Sequence, residues 1–256
     1  MVSKKSKPAY KRILLKLSGE SLVGDQKFGF EKKACHEIAS LIRDIHKLGV
    51  QIGIVIGGGN IFRGSQAEEF QFLRTPADHI GMLATTINGL ILQQTLATLG
   101  VEAHVMSALN TDSIVERYSW QGAMYYLQTG GVVIFVGGTG NPYFTTDTAA
   151  ALRASEINAE VLLKATKVDG IYDKDPKRNP QAKKFAKISY AEALEKDLHV
   201  MDGAAIALCR ANGIPIHVFD LFEKGALMKA VCEKKGGSLI EEGGKASFAT
   251  ASKDKL

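Results

Sequence analysis

Two hydrophobic segments of the chain end abruptly in glycine. Residues 132–136 are an apolar, β-branched run followed by Gly-Gly-Thr-Gly, and a helical pattern begins at residues 146–150. Residues 50–56 end in the same way, at Gly57-Gly58-Gly59. A strand, a glycine-rich turn and a helix start leave backbone N–H groups in the open, where an anion can bind. Each pattern is also compatible with an ordinary connection between a strand and a helix.

Strand and helix signals alternate along the chain. Apolar, strand-like runs cover residues 12–17, 50–56, 101–106, 132–136, 160–166 and 214–219. Apolar residues at helical spacing predict helices over residues 31–48, 76–99, 111–128 and 147–158. Continuous apolar strands that alternate with helices are typical of parallel sheets. We therefore predict an α/β fold whose mostly parallel central sheet is sandwiched between helices.

The chain has the size of one large domain. It contains 256 residues, of which 45% are hydrophobic, and no linker composition or internal repeat divides it. We predict a single α/β domain over residues 10–241, with disordered tails at residues 1–9 and 242–256. Ligands are expected at the carboxyl ends of the strands, where the glycine loops begin.

Charge and cysteine content restrict the class of protein. The formal net charge is +5, and much of the basic excess lies at the two ends, which we interpret as solvated tails. A nucleic-acid partner is therefore not expected. No apolar run approaches the ~20 residues that span a bilayer, so no membrane partner is expected either. Three widely separated cysteines without metal-ligand spacing favour reduced thiols in the cytoplasm.

Three charged side chains lie next to the glycine loops or at a helix start. Lys16 interrupts an apolar strand, so it either points to solvent at the strand end or is held near an anion. Arg63 follows the second glycine loop and suits a bidentate phosphate contact. Asp78 belongs to the first turn of a predicted helix, where it either complements the helix dipole or binds a ligand hydroxyl.

Common catalytic motifs are missing from the sequence. It has no G-x-x-x-x-G-K-[ST] loop, no G-x-G-x-x-G after the first strand, no His/Cys cluster and no nucleophile elbow. We assign no direct metal ligands. Backbone-rich loops with one lysine, one arginine and a few aspartates suit phosphoryl transfer, because positioning and charge neutralisation provide most of its catalysis.

Five blocks of the chain carry a family resemblance. They are residues 11–20 (KRILLKLSGE), 56–64 (IGGGNIFRG), 78–85 (DHIGMLAT), 138–147 (GTGNPYFTTD) and 163–176 (LKATKVDGIYDKDP). Together they resemble the bacterial uridylate kinases of the amino-acid-kinase superfamily, over residues 10–240. The resemblance implies a three-layer fold and transfer of a phosphoryl group from ATP, with Mg²⁺, to UMP.

The resemblance also implies roles for individual residues. The catalytic set would be Lys16, Arg63, Asp147 and Asp202. The UMP site, mainly in the N-terminal half, would comprise Gly58, Asp78, Thr139, Gly140, Asn141, Pro142, Tyr143, Phe144, Thr145 and Thr146. The ATP site, mainly in the C-terminal half, would comprise Lys16, Leu17, Ser18, Gly19, Gly59, Arg63, Thr166, Tyr172 and Asp175.

Assembly and regulation are likewise implied by the resemblance. Such kinases are usually hexamers, built as trimers of dimers, and the apolar segment 76–99 suits a dimer contact. UTP inhibition, by competition at the UMP site, is expected. GTP activation is not, because this chain places the uncharged Gln94, His104 and Gly131 where many relatives have charged residues.

Two alternatives remain. The first is another kinase of the superfamily that acts on a carboxylate or carbamate, and residues 138–147 with Asp78 fit a nucleotide better. The second is a non-catalytic protein that binds a nucleotide or oxyanion, against which Lys16 and Asp147 together argue. A nucleoside monophosphate is mostly dianionic at neutral pH and needs no general base, which agrees with the absence of histidine from these loops.

Overall fold

A computed structural model describes residues 7–176, 178–198, 200–243 and 247–248 of the chain. Its strands are β1 Arg12–Leu17, β2 Gln51–Ile56, β3 Ala103–Ser107, β4 Glu116–Arg117, β5 Val132–Val136, β6 Val161–Thr166, β7 Ile171–Tyr172, β8 Lys184–Ser189, β9 Ile216–Asp220, β10 Ser238–Glu241 and β11 Ser247–Phe248. Its helices are α1 Lys32–His46, α2 Gly64–Glu69, α3 Arg74–Thr98, α4 Trp120–Thr129, α5 Thr146–Glu156, α6 Tyr190–Glu195, α7 Gly203–Ala211 and α8 Ala226–Glu233, with a short 3₁₀ helix at Gly19–Leu22.

All described strands belong to one sheet. Its order is β11-β8-β10-β9-β6-β1-β2-β5-β3-β4, and β7 pairs with β8. The seven strands from β9 to β4 are parallel to their neighbours. Antiparallel pairs occur only toward the other end, between β9 and β10, β8 and β11, and β7 and β8. This topology confirms the predicted, mostly parallel sheet.

Helices cover both faces of the sheet. Because successive strand residues point to opposite faces, Leu15 and Leu17 of β1 join a core with α1, α3 and α8, while Leu14 joins a core with α4, α5, α6 and α7. The result is a helix–sheet–helix sandwich. Among the described residues, no helix is both long and apolar enough to cross a membrane.

The segment 111–128 differs from the single helix that was predicted. It contains the edge strand β4 and then α4, which begins only after Ser119. The side chain of Ser119 caps α4 by accepting a hydrogen bond from the Gly122 N–H at 3.1 Å. Val115 is buried although it precedes an exposed strand. Its apolar side chain fits the helical spacing of the segment, which is why the sequence predicts a helix there.

The expected tails are partly ordered. Residues 1–6 lie outside the described residues, but the Ala9 N–H donates to the Val231 carbonyl at 3.0 Å. In the C-terminal stretch, Ser247–Phe248 forms β11 and pairs with β8, which corrects the expectation of a tail throughout 242–256. The strands β7 and β8 were not foreseen.

Candidate active site

Three loops meet at the carboxyl ends of the parallel strands. They follow β1, β2 and β5, which are neighbours in the sheet. A β-carbon placed on Gly57 would lie 3.6 Å from both the Gly19 nitrogen and Thr146 Oγ1, so the three loops approach each other closely. The predicted residues Gly19, Gly58 and Thr146 are therefore brought to one place.

A buried ion cluster lies beside these loops. Lys16 and Lys164 are directly paired residues of the neighbouring strands β1 and β6. Asp147, in the first turn of α5, lies 2.7 Å from Lys16 Nζ through Oδ1 and 2.6 Å from Lys164 Nζ through Oδ2. The sequence analysis predicted Lys16 and Asp147 but missed Lys164. Its signal was present, because β1 and β6 both contain Leu-Leu-Lys and so point their lysines to the same face.

Electrostatics keep the cluster charged. Burial raises the pKa of Asp147, but the charges of Lys16 and Lys164 outweigh it, and the pKa is lowered. Burial and the charge of Lys16 lower the pKa of Lys164, against the opposing effect of Asp147. Two lysines around one carboxylate concentrate positive charge at this point, which suits a site for a phosphoryl group.

Asp202 supports the start of the helix that carries Asp147. It is the N-cap of α7, where Oδ1 accepts from the Ala205 N–H at 2.7 Å. It also accepts from Thr148 Oγ1 at 3.0 Å and from the Thr145 hydroxyl. Since Thr145 in turn caps α5 and accepts from the Asp147 N–H, Asp202 fixes the helix start that carries Asp147.

A cleft of 570 Å³ opens next to the glycine loop of β2. Its wall comprises Gly58, Gly59, Phe62, Gly64, Ala67, Glu68, Phe72, Arg74, Ala77, Asp78, Gly81, Met82, Thr85, Gly138, Phe144, Thr145 and Thr146. The predicted UMP residues Gly58, Asp78, Phe144, Thr145 and Thr146 all line it. Gly59, predicted on the ATP side, lines it too. The volume matches a typical small-molecule site.

The other predicted UMP residues form the outer part of the loop after β5. Thr139 Oγ1 accepts from the Asn141 N–H at 3.2 Å, which folds the loop over Gly140 and Pro142. The Tyr143 N–H donates to Asp78 Oδ2 at 2.7 Å and so ties the loop to α3.

Arg74 is a further charged residue of the cleft that the sequence analysis missed. Its Nε donates to both oxygens of Asp78, at 2.9 and 2.8 Å, and its guanidinium lies 5.4 Å from the centre of the Tyr143 ring. The spacing of four residues on one helix was the available signal. Asp78 is thus oriented from two sides.

A second group of charges lies beyond the β1 loop. Arg63 Nη2 lies 2.7 Å from Glu20 Oε1, and Arg63 Nε donates to the Gly59 carbonyl at 2.9 Å. Lys167 Nζ lies 3.0 Å from Glu20 Oε2. The hydrogen bond from Lys167 and the charge of Arg63 hold the pKa of Glu20 below its ordinary value. The predicted residues Gly59 and Arg63 are therefore together, and Glu20 and Lys167 join them.

The predicted ATP residues lie around the β1 and β6 loops. Ser18 Oγ accepts from the Glu20 N–H at 3.2 Å, and the Lys167–Glu20 pair connects the two loops. Leu17 is 0% exposed, so only its backbone can face a nucleotide.

Thr166, Tyr172 and Asp175 follow in the β6 loop and the segment after it. The Thr166 hydroxyl donates to the Val168 carbonyl at 2.5 Å. The Tyr172 hydroxyl donates to Asp169 Oδ1 at 2.6 Å, and burial with this bond raises the pKa of Tyr172 to about 12. Asp175 Oδ2 lies 3.5 Å from Arg178 Nε.

A pair of buried asparagines fixes the glycine loop of β2. Asn88 Nδ2 of α3 donates to the Gly57 carbonyl at 2.6 Å and to Asn60 Oδ1 at 2.7 Å. Asn60 Nδ2 returns a bond to Asn88 Oδ1 at 3.0 Å. The role of Asn88 was not predicted, although an asparagine in a largely apolar helix is a signal for such a bond.

No three or more His, Cys, Asp or Glu side chains of the described residues form a group that could hold a metal. The two carboxylates nearest the site, Asp147 and Asp202, are both engaged by protein donors. A metal that acts here would therefore have to be held largely by the phosphates of a nucleotide.

Comparison with known proteins agrees with this geometry. The amino acid kinase family model matches residues 11–220. A uridylate kinase from Protochlamydia amoebophila (strain UWE25) is 57% identical over 236 residues, which are 91% of this chain and 94% of the relative. A crystal structure of UMP kinase from Bacillus anthracis superposes with a TM-score of 0.90 at 39% identity, covering 94% of this chain and 99% of that chain. The UMP kinase of Ureaplasma parvum gives 0.86 at 39% identity, covering 91% and 99%. The chain therefore belongs to the amino acid kinase family and, within it, to the uridylate kinases.

Proposed function

We propose that this protein transfers the γ-phosphoryl group of ATP to UMP. A phosphate oxygen of UMP attacks the γ-phosphorus, a new P–O bond forms, and the bond to the β–γ bridging oxygen breaks. ADP leaves with that electron pair, and UDP is the product. The observation that carries the proposal is the cluster of Lys16, Asp147 and Lys164 at the point where three backbone-rich loops meet.

The chain's own residues supply binding and charge. Lys16 would neutralise the transferring phosphoryl group, and the start of α5 would present N–H groups to the acceptor phosphate. Asp78, oriented by Arg74 and by the Tyr143 N–H, would accept hydrogen bonds from the ribose hydroxyls of UMP. Arg63 and Gly59 would lie on the phosphates of ATP, with Arg63 moving from Glu20 to the more highly charged ligand.

Magnesium fits this arrangement as a companion of the nucleotide. The phosphates of the nucleotide would hold most of it, with Asp147 and Asp202 as nearby carboxylates, and it would supply positive charge that offsets the charge of the phosphates.

We extend the proposal to regulation and assembly. UTP would inhibit by occupying the UMP cleft, and GTP would not activate. His104 stacks flat on Tyr126 at 3.6 Å and its Nε2 lies 3.0 Å from Glu102 Oε1, so this region offers a carboxylate rather than a cationic site for a triphosphate. We also propose a cytoplasmic homohexamer with α3 at its dimer contact. All three cysteines are free, as expected in a reducing compartment.

One assay tests the activity and the effectors together. ADP formation from ATP and Mg²⁺ is measured with UMP, CMP, AMP, acetylglutamate or aspartate as acceptor, and then with UMP plus GTP or UTP. We expect UMP to be the preferred acceptor, UTP to inhibit competitively with UMP, and GTP to change the rate less than twofold. A preferred carboxylate acceptor, or no turnover with any acceptor, would contradict the proposed reaction. A several-fold stimulation by GTP would contradict only the regulatory part.

A further inference from the structure

Lys164 belongs to the cluster on which the proposed function rests, but it has so far been given no role of its own. We propose that Lys164 is a positioning residue, which shares Asp147 with Lys16 and thereby keeps the Lys16 ammonium available to the transferring phosphoryl group. This inference rests on the proposed function and deepens it.

The division of the carboxylate carries the argument. Each oxygen of Asp147 faces one lysine, Oδ1 toward Lys16 at 2.7 Å and Oδ2 toward Lys164 at 2.6 Å. Without Lys164, both oxygens would turn to Lys16, and the cluster would lose one positive charge. A cluster with one positive charge fewer attracts a phosphoryl group less strongly.

The two lysines make different contacts, which indicates that they have different roles. Lys164 Nζ is held by Asp147 and also by the Val200 carbonyl, so two of its three donor positions are used by the protein. Within the described residues, the only contact of Lys16 Nζ given by the structure is its ion pair with Asp147. Lys16 therefore has donors left for a ligand, whereas Lys164 is fixed from behind.

The strand register explains why this division is stable. Lys16 and Lys164 are paired across two adjacent parallel strands, and both side chains are only 12% exposed. Asp202 adds a second carboxylate nearby, and it is engaged by Thr148 and by the start of α7.

Three substitutions at one position and one matched control test the inference. Lys164→Met removes charge and hydrogen bonds, Lys164→Gln keeps an amide donor, and Lys164→Arg keeps the charge. Lys187→Met is the control, because Lys187 pairs with Glu241 at 2.8 Å on the distant strand β8. Initial rates are measured over ranges of ATP and UMP on variants whose folding is checked by circular dichroism and thermal unfolding.

We expect K164M and K164Q to lose about 30- to 100-fold in kcat with KM for both nucleotides within about threefold of wild type. K164R should retain more activity than K164Q, and K187M should match the wild type within twofold. If K164M does not fold, K164Q decides the question. A folded K164Q with a kcat within threefold of wild type, or K164R no better than K164Q, would overturn the inference.

A double variant tests whether Lys164 acts through Lys16. On a Lys16→Met background, K164M should cost less than about threefold more in kcat, since the lysine that it positions is already gone. A further loss as large as that in the wild-type background would show a direct role and overturn the positioning role. Measurements on the wild type distinguish this inference from the proposed function. If the wild type does not form UDP, the proposed function is wrong. If the wild type forms UDP and K164Q does so at an equal rate, only this inference is wrong.

Discussion

At the residue scale, the active site depends on one carboxylate that serves two lysines. Asp147 remains ionised because Lys16 and Lys164 offset the cost of its burial. The balance at Lys164 is the opposite, since burial lowers its pKa more than the charge of Asp147 raises it. The protein thus holds two lysines around one carboxylate although burial disfavours the charge of Lys164, and such a cost in stability is common at functional sites.

The loss of folding stability at acid pH reports on the shared carboxylate of Asp147. A lowered carboxyl pKa contributes stability that is present above the unfolded value of about 3.9 and is lost as the pH falls through the folded pKa. Lys164→Met removes one of the charges that lower the Asp147 pKa, so the loss of stability with falling pH should be smaller, and should end at a higher pH, than in wild type. Urea midpoints measured between pH 7 and 3 check this, with Lys187→Met as control. Superimposable curves for wild type and K164M would show that Lys164 does not act on Asp147.

Single residues were predicted where the local sequence contains the reason for their role. Lys16 in an apolar strand and Arg63 after a glycine loop could be selected in this way, whereas the role of Asp147 came from the family resemblance. Lys164 escaped because its role depends on the register between β1 and β6, in which Lys16 pairs with a residue 148 positions further along the chain. Asn88 escaped because its partners are set by how α3 lies on the glycine loop of β2. Arg74 was overlooked although its partner Asp78 lies four residues further along the same helix.

At the scale of elements, α3 and the glycine loop of β2 form one packed unit. The Asn88–Gly57 bond fixes the loop backbone, and Thr85 Oγ1 accepts from the Gly137 N–H at 2.8 Å, which attaches the β5 loop to the same helix. A β-carbon on Gly58 would lie 2.8 Å from the Gly81 carbonyl and 2.9 Å from Ala84 Cβ. Only glycine fits at this position without a shift of the loop or of α3.

Gly58 and Gly59 form a matched pair for testing this contact. Gly58→Ala should lower the free energy of unfolding by about 1–3 kcal/mol, because the loop must move away from α3. Gly59→Ala meets nothing within 4 Å and should change it by less than about 0.5 kcal/mol. Urea denaturation compares the two variants with wild type. Equal effects of both substitutions would mean that close packing on α3 does not constrain the loop.

Most elements could be predicted because their patterns are strong and local. The apolar strands β1, β2, β5, β6 and β9 and the helices α1, α3 and α5 follow directly from periodicity. The short strands β4, β7 and β11 could not, since two residues carry no period and are defined by their neighbours in the sheet. The strand β8 escaped for a related reason, because its two lysines are three residues apart and its apolar residues show no regular alternation.

At the scale of the whole molecule, the parallel strands bring the loops of the candidate site to one edge of the sheet. One face of the helix α3 carries large apolar side chains that remain exposed. Ile80, Leu83 and Ile87 of α3 are 37%, 50% and 46% exposed. They lie on one side of the helix, three and four residues apart, while Leu92 and Leu96 are buried in the core. A row of large apolar side chains beside an active-site cleft is the surface that the proposed dimer contact would bury.

Leu83→Glu tests this contact in the intact protein. A carboxylate at the centre of a self-complementary apolar interface would be buried opposite its own copy, so the two charges would repel and lose water together. We expect the wild type to elute as a hexamer in size-exclusion chromatography with light scattering, and Leu83→Glu to fall to a smaller assembly. Leu194→Glu, a comparable change on α6 at the opposite face, should leave the mass unchanged. Because Asp78 and Thr85 project from the same helix, the smaller assembly should also bind UMP more weakly. A hexamer that survives Leu83→Glu with unchanged mass would place the dimer contact elsewhere.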